Sequence, residues 1–211
     1  MGMDINILSF QGVPAKSLGS GTKPQALADT IGGLLVSELQ PRYSSLAYAG
    51  KLYSAANPTG ITSTAFVSGT TTVFLGFCLS NPVGSLVNLH LLKVGYACAI
   101  PPASVQPVVL GRGFNAGTSV THTTPLTVTN SLLSGAAGTG LVDSSYTVPT
   151  APTTHSIIGQ ITTVAPNFAP ILTDYEGSVI IPPGGYVIVA SLVAGGASGA
   201  FASALWAELP L

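Results

Sequence analysis

From about Leu46 onward, short runs of alternating apolar and polar residues are separated by clusters of Gly, Pro, Asn and Ser. A period of two places successive side chains on opposite faces of a strand, and many short strands between turns are typical of a sandwich or barrel. Residues 46–211 are therefore predicted to form a single all-β domain, with a β-sandwich as the expected architecture.

The longest alternating run changes its parity in the middle. Apolar residues occupy odd positions from Val87 to Leu91 and even positions from Val94 to Ile100. One extra residue between the two runs would keep both on the same face of a sheet. A bulge or bend is therefore predicted near Leu92 and Lys93.

Two strand-like runs near the C-terminus flank a turn sequence. Ser178–Ile181 and Tyr186–Leu192 lie on either side of Pro182-Pro183-Gly184-Gly185. Proline ends a strand because it lacks an N–H, and glycine permits the positive φ of a tight turn. The pattern predicts that the two strands form a hairpin.

The last strand-like run ends in the sequence LWAEL. Phe201, Leu205 and Leu209 share one parity, whereas Trp206 and Glu208 have the other. An exposed Trp is typical of an interface, so Trp206 is a candidate partner contact. The alternative is a strand that is buried on both faces.

The alternation weakens between Gly111 and Thr150, where we expect long surface loops and weak strands near Val120 and Leu126. Two Gly-rich runs in this region are Gly111–Gly113 and Gly135–Gly140. Neither lies between a strand and a helix, as a phosphate-binding loop does, so both are interpreted as turns.

Residues 1–45 have a different character and are predicted to form an N-terminal arm followed by an amphipathic helix. Gln11–Thr22 is rich in turn residues and indicates an extended arm. Between Pro24 and Pro41, apolar residues recur at three- and four-residue spacing, which predicts a helix of about four turns. These apolar residues are Leu27, Ile31, Leu34, Leu35 and Leu39.

The first residues of the arm are candidate partner contacts. The segment from Met3 to Phe10 contains four apolar residues, Ile5, Ile7, Leu8 and Phe10. Such a segment can add a strand to a neighbouring chain, gaining main-chain hydrogen bonds as well as apolar burial. The alternative is a first strand in the sheet of its own chain.

Charge is scarce in the whole chain. Only 13 of 211 residues are Asp, Glu, Lys or Arg, the formal net charge is −1, and 46% of the residues are hydrophobic. This composition offers no electrostatic footprint for nucleic acid. A charge-poor and apolar surface favours association, so we expect a homo-oligomer whose surface is largely covered by partners.

Neither export nor membrane insertion is predicted. Met1–Val13 contains no Lys or Arg and no continuous apolar run of the kind found in secretory signals. The longest apolar stretches fall far short of the roughly 20 residues that a transmembrane helix needs.

The Ser, His and Asp residues show no catalytic arrangement. The sequence has no G-x-S-x-G motif, and no pattern connects His90, His122 or His155 to a nucleophile. The His and Cys residues are at least eight positions apart, unlike the close pairs of zinc sites. We predict a non-enzymatic protein without metal or cofactor; an alternative is a trimer axis that brings three copies of His122 or His155 together.

Asp174 and Glu176 are the closest pair of carboxylates in the sequence. With Gly177 following them, they predict a solvated turn before the strand at Ser178. A calcium contact is the alternative.

The two cysteines are Cys78 and Cys98, each among apolar residues of a predicted strand. Buried free thiols are the first interpretation. A single cross-strand disulfide is the alternative.

Five segments together resemble a group of tailed-bacteriophage virion structural proteins that decorate or cement capsids: QGVPAKSLGSGT, YAGKLYSAANPTGIT, LSNPVGSLVNLHLLKVGYA, DYEGSVIIPPGGYVIVAS and LWAEL. The resemblance implies a β-sandwich of jelly-roll type, commonly trimeric, that binds the major capsid protein on the outer capsid surface after synthesis in the host cytoplasm. It brings no active-site motif. A head-fibre or tail-associated module that binds a receptor or carbohydrate is the alternative, because jelly rolls serve both roles.

Overall fold

The computed structural model describes residues 42–69, 72–164, 169–194 and 199–211. These residues form one helix, α1 (Ser44–Tyr48), and eleven strands. The strands are β1 (Leu52–Ala56), β2 (Val73–Ser80), β3 (Val87–Cys98), β4 (Gln106–Phe114), β5 (Thr121–Pro125), β6 (Thr129–Asn130), β7 (Leu141–Thr147), β8 (Thr153–Ile161), β9 (Ile171–Ile181), β10 (Gly185–Ser191) and β11 (Ala200–Pro210).

The strands form two antiparallel sheets that pack face to face. The five-stranded sheet has the order β6-β1-β11-β3-β9, and the six-stranded sheet has the order β5-β7-β2-β10-β4-β8. The first four strands pair with the last four in reverse order, β1 with β11, β2 with β10, β3 with β9 and β4 with β8. This is a long hairpin rolled into two sheets, the jelly-roll arrangement, and it confirms the predicted all-β sandwich.

The main core lies between the two sheets. It contains 21 buried residues, among them Leu79, Leu91, Leu110 and Trp206. Alternate residues of the six-stranded sheet face the other way, where Cys78, Tyr146 and Ile188 pack under loop residues such as Phe66. Because both faces of the sheet are covered, every residue of β10 is buried.

Helix α1 covers one end of the outer face of the five-stranded sheet. Leu46 and Ala47 pack against Leu52, Leu92 and Ala207. Leu92 lies in a bulge of β3: the pairing with β11 shifts between Leu205 and Trp206, and the pairing with β9 shifts on either side of Leu92. The predicted bulge near Leu92 and Lys93 is therefore confirmed, and the extra residue provides the apolar contact for α1.

The prediction that the strands on either side of Pro182-Pro183-Gly184-Gly185 pair as a hairpin is wrong. The two strands exist, and Gly184 has a φ of +82°. However, β9 pairs with β3 in one sheet, whereas β10 pairs with β2 and β4 in the other. The turn carries the chain across the sandwich, as successive strands of a jelly roll require. Gly111–Gly113, interpreted as a turn, belongs to β4.

The predicted exposure of Trp206 is also wrong. Its indole is fully buried, and its ring stacks on Tyr53 with 6.2 Å between ring centroids. The bulge at Leu205 and Trp206 leaves three consecutive buried residues, so this end of β11 is buried on both faces, as the alternative interpretation held. The partner-contact hypothesis for Trp206 is withdrawn because no part of its side chain is accessible.

Glu208 is the least expected member of the interior. Its carboxylate is buried and accepts hydrogen bonds from the amides of Thr139 and Gly140, at 2.8 Å each, and from the Trp206 indole N–H at 3.2 Å. Three donors to one carboxylate offset much of the cost of burying the charge. The contact joins the last strand to the loop between β6 and β7.

Two glycines allow that loop to approach so closely. A Cβ on Gly138 would lie 2.9 Å from both Glu208 and Tyr53, and a Cβ on Gly140 would lie 3.0 Å from Leu89. Side chains at these positions would push the loop away from the carboxylate. The Gly135–Gly140 run is thus a close-packed anchor as well as a turn.

Replacing Glu208 should destabilise the domain strongly. We expect Glu208→Ala to lower the free energy of unfolding by about 3 kcal/mol, because it leaves two buried donors and one partly buried donor without an acceptor. Glu208→Gln, which keeps one acceptor oxygen, should lose less. Urea unfolding measures both; the exposed Glu176→Gln is the matched control, with an expected change below about 0.5 kcal/mol. Equal stability of Glu208→Ala and the control would contradict the anchor.

Candidate functional site

One concave surface is a groove on the outer face of the five-stranded sheet. It consists of two adjoining cavities of about 560 Å³ and about 400 Å³. Both are lined by Ala56, Gly95, Leu172 and Ser203. The floor is low because outward-facing positions of β1, β3 and β11 carry small residues.

Larger side chains form the walls of this groove. Leu205 stands at the end that α1 covers, and Phe201 lines the other cavity. Leu172 on β9 is 73% exposed at the side. Gly95 keeps the floor flat, since a Cβ there would lie 2.7 Å from Ser203 Oγ. The groove is therefore an open apolar trough with one covered end.

A cluster of four charged residues lies at the rim of the groove. Lys93, which lines the groove, is 3.3 Å from Asp174, and Arg42 is 2.5 Å from Glu176 and 3.5 Å from Asp174. Desolvation is the largest single contribution and raises the pKa of Asp174, but Lys93, the Glu176 amide and Arg42 together outweigh it, so the pKa of Asp174 is lowered.

The carboxylates of this rim lie within strand β9, not in a turn before it. Glu176 and Gly177 have positive φ and form a wide irregularity opposite Leu92. In the described part of the chain, no three His, Cys, Asp or Glu side chains come together as a metal site would require. The carboxylates of Asp174 and Glu176 instead form ion pairs with Arg42 and Lys93.

A second, more polar cleft lies between β9 and the β4 and β8 side of the other sheet. Its volume is about 520 Å³, and its lining includes Arg112, Phe114, His155, Ser178 and Tyr186. Phe114 is 55% exposed. The cleft thus combines a cation, an aromatic ring and hydroxyl groups.

His122 and Asp143 form a pair that the sequence did not suggest. Nδ1 of His122 contacts Oδ2 of Asp143; the carboxylate is 1% exposed and the imidazole 24%. Burial raises the pKa of Asp143, and His122 partly offsets that increase. Among the described residues no donor reaches Oδ1 of Asp143.

The contact between His122 and Asp143 joins an edge strand to its neighbour. It does not have the form of a catalytic pair, in which a base contacts a nucleophile. His122 lies on β5 and Asp143 on β7, which are adjacent antiparallel strands. The strand β5 is otherwise exposed. The pair therefore attaches this edge strand to the buried part of the sheet.

Both cysteines are buried thiols that form no disulfide, which confirms the first interpretation. Cys78 packs on the outer face of the six-stranded sheet and Cys98 in the main core. Burial raises the pKa of the Cys78 thiol well above its ordinary value. Neither thiol is placed for reactivity.

Of the predicted contact residues, Ile5, Ile7, Leu8 and Phe10 lie outside the described residues, as do the arm and the predicted helix between Pro24 and Pro41. The groove was missed because its floor is made of Ala, Gly and Ser, which no motif marks. The one indication of the groove in the sequence is the shared parity of Phe201 and Leu205, which places both side chains on the same face of the last strand.

Comparisons of the chain with protein-family models, with curated proteins and with solved structures found no match. The described helix α1 has five residues, and no described helix has the length and apolar character needed to cross a bilayer. The chain is therefore defined by its fold and surfaces: a jelly-roll sandwich with an apolar groove, a polar cleft and few charges.

Removing His122 should destabilise the domain at neutral pH. We expect His122→Ala to cost about 2 kcal/mol, because the buried Asp143 carboxylate loses its partner. His155→Ala, at an exposed position, should change the free energy of unfolding by less than about 0.5 kcal/mol. Urea unfolding at pH 7 compares the two; equal losses would contradict the proposed attachment of β5.

The pKa of Asp143 predicts a pH dependence that is clearest without His122. Because folding raises this pKa above its ordinary value of 3.8, the ionised carboxylate disfavours the folded state. We compare the His122→Ala variant with the double variant His122→Ala/Asp143→Asn, which has no carboxyl group at position 143. The free energy of unfolding of His122→Ala, relative to that of the double variant, should be highest below pH 3.8 and should fall as pH rises through the pKa of Asp143 in the folded state. Urea unfolding between pH 3 and 7 measures this difference, and a constant difference would contradict it.

Proposed function

We propose that the chain is a non-enzymatic structural protein of a tailed-bacteriophage virion, which assembles with copies of itself and binds the outer surface of the capsid as a decoration protein. The observation that carries the proposal is the chemistry of the surface. Among the described residues, eighteen large apolar side chains are exposed. Exposed apolar side chains in this number supply area that a partner can bury, as at the apolar patches that mark interfaces.

The distribution of charge supports the same proposal. Eight charged residues lie in the described part of the chain. Asp143 and Glu208 are buried, and four others form the cluster at the groove rim. Only Lys51 and Arg112 remain for the rest of the described surface. A permanent interface avoids the cost of burying unpaired charge, which is several kcal/mol per ion.

The fold is compatible with this role but does not decide it. Jelly rolls occur in viral capsid proteins and also in lectins, so the fold alone is an argument by analogy. The resemblance of the sequence segments to capsid decoration proteins is the reason for preferring the virion. By the same resemblance, the proposed assembly is a trimer that contacts the major capsid protein.

A carbohydrate- or receptor-binding module is the second candidate function, and the polar cleft favours it. Arg112, Phe114 and His155 supply a cation, an aromatic face and a polar ring at one concave surface. Sugars bind to such combinations through stacking and hydrogen bonds. The single buried Trp206 counts against it, because the largest aromatic ring is not available for stacking.

The proposed function predicts a trimer that binds heads. Light scattering should give about three times the chain mass of 21.2 kDa. In the same sample the protein should sediment with empty heads assembled from the major capsid protein of the same genome, and it should raise the temperature at which those heads break. Heads already saturated with the protein are the control, and they should take up no more. A monomer that stays in the supernatant would contradict the proposal.

A glycan array separates the two candidates. The decoration function predicts no binding to the array by the purified trimer. Glycan binding that Arg112→Ala abolishes, together with no sedimentation with heads, would establish the second candidate instead.

A further inference from the structure

Arg112 lies on the core-facing side of strand β4, although it is exposed. In this strand Val108 and Leu110 belong to the main core, whereas Val109 belongs to the cluster on the outer face of the sheet. The pairing of β4 with β10 has no shift from Val108 to Phe114, so Arg112 has the same parity as Leu110. A cation therefore continues a row of core side chains to the surface.

The polar cleft into which Arg112 projects has an apolar floor. Val179, Ile181 and Val187 line it, and all three are buried members of the main core. Ile180, which also lines the cleft, is 52% exposed. Together with the exposed ring of Phe114, these residues surround the guanidinium with apolar surface.

No carboxylate in the described part of the chain pairs with this cation. The described lining of the cleft contains neither Asp nor Glu. The four described carboxylates have partners elsewhere: Asp143 contacts His122, Asp174 and Glu176 bind Lys93 and Arg42, and Glu208 accepts loop amides. The described part of a second copy therefore has no free carboxylate to offer.

A partner that covers the cleft must supply a counter-charge. Removing an unpaired ion from water is strongly unfavourable, whereas an arginine can donate two parallel N–H bonds to one carboxylate. Thr153, directly opposite Arg112 on β8, also lines the cleft and adds a hydroxyl donor. An arginine beside an aromatic ring is a combination enriched at the centres of protein interfaces.

We propose that the polar cleft binds an Asp or Glu side chain of a different protein. Arg112 and Thr153 bind its carboxylate, and Phe114 and Ile180 pack against the apolar residues that flank it. The inference rests on the proposed function, by which the partner is the major capsid protein. One arginine then fixes the register of a surface that carries few charges.

Neutral substitutions of two cations in the full-length protein test the proposal. Arg112→Gln should raise about thirtyfold the protein concentration that half-saturates empty heads, because the ion pair is lost. Arg112→Lys keeps the charge but loses the bidentate geometry, and should raise it about fivefold. Lys51, the other cation without an ion pair in the described part of the chain, provides the matched control. Lys51→Gln should change the concentration by less than about twofold.

The outcomes separate this inference from the proposed function. If heads bind the wild-type protein and Arg112→Gln equally, the inference is wrong and the decoration function stands. If the wild-type protein stays in the supernatant, both are wrong. Light scattering and urea unfolding should give the wild-type mass and stability for every variant, since Arg112 is exposed.

Cross-linking identifies the carboxylate without relying on affinity. In Arg112→Lys bound to heads at saturation, a carbodiimide joins the new amine to a carboxylate in contact with it, and peptide mass analysis locates the bond. Position 112 should be joined to an Asp or Glu of the capsid protein. Lys93 and Asp174, which are 3.3 Å apart, are the positive control in the same sample.

The other results of the cross-linking overturn the proposal. A bond from position 112 to Asp4, Asp29 or Glu38, which lie outside the described residues, would show that this chain supplies the carboxylate. If Lys93 and Asp174 are joined but position 112 is not, no carboxylate occupies the cleft. Binding to a glycan array that Arg112→Gln abolishes would then assign the cleft to a saccharide.

Discussion

The buried carboxylate of Glu208 is the interaction on which the closed form of this sandwich depends. It lies near the end of the last strand and accepts hydrogen bonds from the amides of Thr139 and Gly140 and from the indole N–H of Trp206. The chain between β4 and β8 adds β6 to one sheet and β7 to the other, so a single loop spans the edges of both sheets. Glu208 holds that loop where it crosses. A charge in a core is costly unless its hydrogen bonds are complete, and here their direction also fixes the position of the loop.

The rolled-hairpin topology explains why pairing could not be read from neighbouring strands. In this arrangement β9 and β10 are consecutive in sequence but belong to opposite sheets, and their turn bridges the sandwich. The local chemistry of Pro182 and Gly184 specifies a tight reversal in either case. Only the distant partners, β3 for one strand and β2 and β4 for the other, decide between a hairpin and a crossing. Local turn residues therefore fix where a strand ends, whereas long-range pairing fixes its sheet.

The features that followed from the sequence are those set by period and parity. The alternation predicted the all-β class, the parity change predicted the bulge at Leu92, and apolar neighbours predicted two buried thiols. The features that did not follow depend on residues far apart in sequence. Trp206 is buried because it faces the other sheet in the main core, and His122 meets Asp143 across two strands. The groove escaped prediction for another reason, since a floor of Ala, Gly and Ser has no distinctive pattern.

Six of the eight charged residues in the described part of the chain take part in directed contacts. Glu208 orients a loop, Asp143 attaches an edge strand, and the four rim charges pair with one another beside the groove. The remaining surface is left to apolar and hydroxyl side chains, which can be buried against a partner without an unpaired ion. Charge thus fixes specific contacts inside the chain, and the charge-poor surface is compatible with the proposed assembly. The groove combines both kinds of surface, because its floor is apolar and its rim carries ion pairs.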